Sequence, residues 1–305
     1  MMWLGLAFLS AVCLGFYDVF KKKSLRDNAV IPVLLLNTLF SSIIFLPFII
    51  SSNLGWIDSD SLFFTHSYGW HEHRYILLKS VIVLSSWLCG YFGMKHLPIT
   101  IVGPINATRP VMVLIGALTF MGEHLNPWQW AGVTVAIISF YLMSRSGKKE
   151  GIDFKHNKWI ALVVLANVFG AVSGLYDRYL MAPAPTGVGL DKMAVQAWYN
   201  IYQLFMMLLM LILLWYPNRH RTTPFRWDSC IILISLFLTT ADFVYFYALS
   251  HDEAMISIVS MIRRGSVVVS FLFGAMLFHE RNLRSKILDL ALVLLSMLLL
   301  FIGSR

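Results

Sequence analysis

Four ionisable residues lie deep inside long apolar stretches of the sequence. Arg109 follows the segment PINAT, Arg263 and Arg264 follow SMI, and Asp242 lies within TTADFVY. A charged side chain far from water costs several kcal/mol unless it is paired or hydrated, so each residue is a functional candidate. Three guanidinium groups against one carboxylate leave an excess of positive charge. This excess predicts a site for an anionic group, a carboxylate or phosphate, held by the planar donor fork of arginine.

Polar and aromatic residues at similar depth are candidates for the walls of this site. Pro110 has no N–H to bond the carbonyl one turn earlier, so it should bend the helix beside Asn106 and Arg109. Helix packing explains the aromatic residues equally well, because aromatic residues are plentiful in this chain. The predicted substrate-binding residues are Arg109, Asn106, Arg263, Arg264, Trp87, Tyr91 and Tyr245.

Two more aspartates occur in a repeated Gly-x-Tyr-Asp pattern, close to the ends of apolar stretches. Asp18 and Asp177 are, together with Asp242, the candidates for proton coupling or gating, and Asp242 is preferred as the only acid expected at full depth. A structural role stays open for the repeated pair. Lys21 follows Asp18 by three residues, a spacing that allows an ion pair within one helix.

The elements that must position these residues are membrane-spanning helices. Hydrophobic residues make up 58% of the chain and charged residues 13%, about half the charged share of soluble domains. A span needs about 20 apolar residues. The first stretch lacks a basic start and a cleavage site, so we expect it to be retained. Ten stretches fit, near 2–21, 29–50, 74–95, 98–121, 126–145, 158–181, 192–216, 227–250, 253–278 and 282–303.

The ten stretches divide into two groups of five. Gly-x-Tyr-Asp occurs in the first stretch of each group, Asn37 and Asn200 occur in the second, and Glu123 and Glu280 follow the fourth. A repeat with an odd number of spans inserts the second time with opposite orientation. The sequence therefore predicts an all-α integral membrane protein with ten transmembrane helices, arranged as two inverted five-helix repeats. The expected halves are 1–145 and 158–305, joined by the polar linker 146–157.

One motif resembles a known family. Residues 120–135, FMGEHLNPWQWAGVTV, resemble the closing motif of the EamA-type domain in the drug/metabolite transporter superfamily, where a Gly–Glu turn precedes a Gln-Trp-x-Gly-like helix start. Residues 277–290 repeat the turn with His279 in place of the glycine and lack Gln-Trp-x-Gly. The resemblance implies two EamA-like halves. It also implies a central cavity surrounded by spans 1, 3, 4, 6, 8 and 9.

These observations predict a secondary active transporter, an exporter or exchanger of a small polar metabolite or drug. Alternating access would occur about a midplane cavity, with proton coupling as one option. No P-loop or catalytic motif is found, so we expect no enzyme activity, cofactor or metal. The expected partners are a small-molecule substrate and membrane lipid, without nucleic acid, and the protein is a monomer or homodimer. A lipid scramblase or flippase, or a non-transporting membrane receptor, remains the alternative.

The expected location is the cell membrane, which is the inner membrane in a bacterium. Sixteen of the 24 lysines and arginines fall in connections on one predicted side of the membrane. Positive charge favours the cytoplasmic side, which predicts that both termini lie outside. The family resemblance implies both termini inside, so the orientation stays open.

Overall fold

The computed structural model describes residues 2–109, 111–113, 126–148, 154–181, 184–185, 187–249, 262–278 and 283–303. Within these ranges the chain forms ten α-helices and no strand, so the prediction of an all-helical protein is confirmed. The helices are α1 (Met2–Ser24), α2 (Val30–Asn53), α3 (Trp70–His96), α4 (Ile99–Ala107), α5 (Pro127–Lys148), α6 (Lys158–Met181), α7 (Lys192–Met210), α8 (Cys230–Leu249), α9 (Ser266–Phe278) and α10 (Leu283–Gly303). A π-helical turn, Leu211–Trp215, extends α7.

Five of these helices are long and apolar enough to cross a membrane. They are Trp3–Ser24, Val30–Asn53, Trp70–His96, Lys158–Met181 and Lys192–Trp215, the last including the π-helical turn. Cys230–Tyr245 and Ile287–Gly303 are shorter apolar helices. Large apolar side chains such as Phe8, Ile43 and Phe205 are exposed on the outside of the bundle. Lipid tails solvate such a surface, and the chain is a multi-pass membrane protein.

Side-chain caps define where several helices begin. Asn126 and Gln129 form a reciprocal pair at the start of α5, in which each side-chain oxygen accepts a bond from the other residue's backbone N–H, at 2.9 and 3.0 Å. Asp191 accepts from the backbone N–H of Ala194 at the start of α7, and Asn157 accepts from Trp159 at the start of α6. These bonds satisfy N–H groups that have no partner within the helix.

Helices of the first half pack along helices of the second half. The principal pairs are α1 with α8, α3 with α6, α2 with α7, α4 with α9 and α5 with α10. Ser10 of α1 donates to the carbonyl of Ala241 in α8, and Ala7 packs against Ala248, so these two helices run antiparallel. Interhelical bonds of this kind and small residues favour close helix contact in membranes.

The contact between α5 and α10 is reciprocal. Ser139 Oγ donates to the Asp289 carbonyl at 3.0 Å, and Ser296 Oγ donates to the Gly132 carbonyl at 2.8 Å. Because the earlier residue of α5 bonds the later residue of α10, the two helices are antiparallel. Each helix therefore donates one hydrogen bond from a serine hydroxyl and accepts one at a backbone carbonyl. The two bonds lie at equivalent positions along the helices.

Two predicted spans differ from the helices observed. The stretch 98–121 contains α4, which ends at Ala107, and most of the rest lies outside the described residues. In the stretch 253–278, α9 begins only at Ser266, because the chain turns at Gly265, whose N–H bonds the Ile262 carbonyl. Arg263 and Arg264 therefore precede α9, where the sequence predicted them inside a continuous helix. Glu123 and Glu280 lie outside the described residues.

The α3–α6 crossing depends on Gly93, because a Cβ atom there would overlap the side chain of Val163. We expect Gly93→Ala to destabilise the protein by about 1–3 kcal/mol through overpacking. Adding Val163→Ala should recover part of the loss, because it removes the overlapping methyl group. Unfolding of the purified variants in mixed detergent micelles measures both effects. Gly5→Ala is the control, since a Cβ at Gly5 meets no atom within 4 Å; an equal loss there would contradict the crossing argument.

Candidate functional site

The three deep arginines lie at breaks in α4 and before α9. At the end of α4 the backbone N–H and the hydroxyl of Thr108 both bond the Ile105 carbonyl, at 3.1 and 2.7 Å, and Arg109 follows directly. The turn at Gly265 separates Arg263 and Arg264 from α9.

Antiparallel packing brings these two breaks together. A Cβ at Gly274 of α9 would overlap Ile99, and one at Gly103 would lie 3.1 Å from Val267, so the C-terminal end of α4 points to the start of α9. Arg264 is close enough to Arg109 and Arg263 for their positive charges to repel. Broken helices that turn charged groups toward each other at membrane depth are typical of transporter sites.

Asn167 of α6 fixes the position of Arg109. Its Oδ1 accepts from Arg109 Nε at 3.3 Å, and its Nδ2 donates to the Ile105 carbonyl at 3.0 Å. Gly170, one turn later, leaves the space that the guanidinium occupies, because a Cβ there would overlap it. One helix face therefore provides both an anchor and room for Arg109, and it also ties the side chain to the break in α4.

Arg263 forms an ion pair with Asp242 of α8. The Arg263 guanidinium also lies over the Tyr245 ring, 4.4 Å from its centre. The hydroxyl of Tyr199 in α7 donates to the other carboxylate oxygen of Asp242 at 3.4 Å. Both charged side chains are largely buried, with 13% and 15% of their surface exposed. Paired charges in such a place are costly to separate, because each would remain without water or a counter-charge.

Two further ion pairs surround this cluster. Lys79 of α3 pairs with Asp177 of α6, and its ammonium lies 5.1 Å from the centre of the Tyr199 ring. Tyr199 therefore contacts both the Lys79 and the Asp242 pairs. In α1, Lys21 pairs with Asp18 at 2.6 Å.

Aromatic rings surround the Lys21 ammonium. The ring of Tyr17 lies 4.3 Å and that of Tyr91 5.4 Å from it, and Tyr91 is almost fully buried. The faces of these rings are negative, so they attract the Lys21 ammonium.

Charge balance in the cluster differs from the sequence expectation. Asp242 was expected to be the only acid at depth, but Asp18 is buried too and Asp177 is paired with the buried Lys79. The described residues include five cations and three carboxylates in this region, and each carboxylate has its own cation. Arg109 and Arg264 are the two cations that no described carboxylate pairs.

The other predicted wall residues are placed less centrally. Trp87 packs in the apolar core between α3 and its neighbours, and Asn106 lies partly buried in the last turn of α4. Lys79, Tyr199 and Gly170 were not predicted as site residues. Lys79 had a signal, because it is the only basic residue between Arg74 and Lys95, the two ends of the third apolar stretch. Tyr199 and Gly170 are apparent only from the packing.

The site thus consists of ion pairs beside the breaks of two packed helices, in a bundle of apolar helices. Residues 1–145 match the model of the EamA-like transporter family. The match confirms, over the first half of the chain, the resemblance to the EamA-type domain of the drug/metabolite transporter superfamily that the sequence showed.

Comparison with solved structures extends the fold likeness to both halves. The crystal structure of another protein is similar to this chain, with a TM-score of 0.62 and 13% sequence identity. The similarity covers 97% of each chain. At this identity the likeness shows the fold alone. No curated protein matches the chain.

Removing the carboxylate from the central ion pair should be strongly destabilising. We expect Asp242→Asn to lower the free energy of unfolding by about 3–5 kcal/mol, because Arg263 would remain buried and unpaired beside two other arginines. Adding Arg263→Gln should recover much of the loss. Unfolding in mixed detergent micelles measures the three variants. The control is Glu72→Gln, whose partner His71 is exposed, with an expected change below about 0.5 kcal/mol. Equal losses in Asp242→Asn and the control would contradict a buried pair.

Proposed function

We propose that the protein is a secondary active transporter that moves a small polar metabolite or drug by alternating access. The observation that supports this proposal most directly is a cluster of charged side chains between helices of the two halves. The two halves also contact each other through the reciprocal bonds between α5 and α10. The EamA-like match of residues 1–145 supports transport as the activity. In a bacterium the location would be the inner membrane.

Two inverted five-helix repeats are part of this proposal. The reciprocal bonds between α5 and α10 support it, because one fixed shift along the chain converts Gly132 and Ser139 into Asp289 and Ser296. A twofold axis that exchanges two antiparallel helices runs perpendicular to them, and thus in the membrane plane. This is the symmetry of an inverted repeat, in which each half becomes the other when the molecule is turned over.

One end of the bundle, which we call the basic end, is closed across the halves by polar bonds. Asn28 of the α1–α2 loop exchanges two hydrogen bonds with the backbone of Arg226 in the α7–α8 loop, at 2.7 and 2.9 Å. Lys95 at the end of α3 bonds the Asn28 carbonyl and the Thr223 hydroxyl, at 2.8 and 2.7 Å. Loops from both halves must separate to open this end.

The opposite end, which we call the aromatic end, is closed by the equivalent loops. The backbone N–H of Asp191, before α7, donates to the Tyr68 hydroxyl in the α2–α3 loop at 2.7 Å. Phe63 of that loop stacks between Phe48 of α2 and Phe243 of α8, with ring centres 5.3 and 5.4 Å apart. Exchanging the halves converts the loop pair of one end into that of the other. Equivalent closures at both ends are what alternating access requires.

Coupling to protons would act through Asp242. Its neighbour Phe243 belongs to the aromatic closure and its partner Arg263 belongs to the arginine cluster. Protonation of Asp242 would release Arg263 and change the charge that a substrate meets. Asp18 and Asp177, each with its own lysine, are the candidates for gating. Exchange of one substrate for another is the energy source if no ion is coupled.

Locking either end should stop transport. In a background with Cys13, Cys89 and Cys230 replaced, we expect a cross-link between Asn28→Cys and Arg226→Cys to block solute exchange in proteoliposomes. A cross-link between Tyr68→Cys and Asp191→Cys should block it equally. The assay screens labelled amino acids, organic acids, sugar phosphates and drugs for uptake against the same unlabelled compound. Reductant should restore exchange in both cases, and the single-cysteine variants are the controls.

Three results would contradict this proposal. If no compound were exchanged, transport would be contradicted. Full exchange by either cross-linked protein would contradict alternating access. Scrambling of fluorescent lipid by the same vesicles, without solute exchange, would instead favour the lipid scramblase, and ligand binding without any movement would favour the receptor.

A further inference from the structure

We propose that the substrate carries a carboxylate or phosphate group, which binds between Arg109 and Arg264; this assignment rests on the proposed transport function. It names one chemical class among the polar metabolites and drugs left open above. It also assigns different roles to the arginines, because Arg263 neutralises Asp242 and the other two bind the substrate.

The first argument is the pairing of charges. Asp18, Asp177 and Asp242 each have a cation of their own, on Lys21, Lys79 and Arg263. In the part of the chain that is described, this leaves Arg109 and Arg264 with no carboxylate. An uncompensated charge at this depth is costly, and proteins keep one where a ligand supplies the counter-charge. Two such cations side by side make an anion the fitting ligand.

The second argument is the geometry of Arg109. Its Nε is used by Asn167, and Gly170 holds the guanidinium against α6. Within the described residues the two terminal nitrogens make no further bond, and these are the donors that we assign to the ligand. Carboxylate and phosphate oxygens match this planar pair of donors. A guanidinium already fixed by the protein also loses little freedom when the ligand arrives.

The third argument is repulsion. The positive charges of Arg109 and Arg263 act on Arg264 more strongly than the negative charge of Asp18 does, so like charges repel at this site. An anion relieves this repulsion and a cation increases it. The same cluster should therefore exclude cationic drugs and amines, which would meet two unpaired guanidinium groups beside the site.

Replacing Arg264 should separate binding from stability. Thermal unfolding of the purified full-length protein in an uncharged detergent is measured with inorganic phosphate or citrate, against sodium chloride of equal ionic strength. We expect each anion to raise the melting temperature of the wild type by about 5 °C near saturation. Arg264→Gln and Arg109→Gln should lose this rise. Without anion, Arg264→Gln should melt at or above the wild-type temperature, because the repulsion is gone.

The control is Arg74→Gln, since Arg74 is exposed and bonds His71 on its own helix, away from the cluster. It should keep the full anion effect. A purely structural Arg264 would instead give a lower melting temperature for Arg264→Gln without anion and an unchanged rise with it. That result would overturn the assignment, and so would stabilisation of the wild type by choline but by neither anion.

A lipid headgroup could supply the same phosphate chemistry. The protein is therefore also measured in nanodiscs of phosphatidylglycerol and of phosphatidylcholine. Stabilisation by phosphatidylglycerol, lost in Arg264→Gln, without an effect of phosphate or citrate, would assign the anion site to lipid and overturn the soluble substrate.

The experiments distinguish a failure of the anion site from a failure of the transport proposal. Exchange of a neutral solute without an anion effect would overturn this inference alone, whereas an anion effect without exchange would overturn the proposed function alone.

Discussion

Asp242 and Arg263 join α8 to the chain just before α9, in a bundle whose outer surface is apolar. Both charges are largely buried, so the neighbouring structure has to stabilise them. Tyr199 donates to the carboxylate, Tyr245 lies under the guanidinium, and the turn at Gly265 separates Arg263 from α9. The ion pair therefore lies beside the break between the helical residues 262–264 and α9. The surrounding site is built on that break.

The three ion pairs connect different parts of the molecule and so do different work. Lys79 and Asp177 join α3 to α6, one helix from each half, while Lys21 and Asp18 pair within α1. A pair between halves holds their relative position, and a pair within one helix leaves the halves free to move. Burying paired charges adds little stability compared with apolar residues of the same size. The presence of these pairs is better explained by Arg109 and Arg264 beside them, which no described carboxylate pairs. Without its carboxylate, each paired cation would add to the positive charge of these two arginines.

Hydropathy was enough to predict an all-helical membrane protein, because an apolar stretch of about 20 residues must satisfy its own backbone bonds in lipid. Charge is rare at that depth, which is why the sequence marked the arginines as candidates for the site. Sequence could not assign the partner of Asp177. Arg178 is its neighbour along the chain, but Lys79 reaches it only because α3 and α6 cross at Gly93. The late start of α9 was missed for a similar reason. Gly265 is compatible with an apolar helix, so the sequence alone did not mark the turn there.

The proposed repeat relates the backbones of the two halves but not the chemistry of the site. In that repeat α3 is the counterpart of α8, but its residue Trp87 packs in the apolar core, whereas α8 contributes the paired carboxylate of Asp242. The closures differ in the same way. Asn28, Arg226 and Lys95 close the basic end with hydrogen bonds that water can replace, whereas Phe63 closes the aromatic end by stacking. Under the proposed mechanism, backbone symmetry would allow the two halves to exchange roles in opening. Side-chain asymmetry would give the central site one sign of charge and would let the two ends open under different forces.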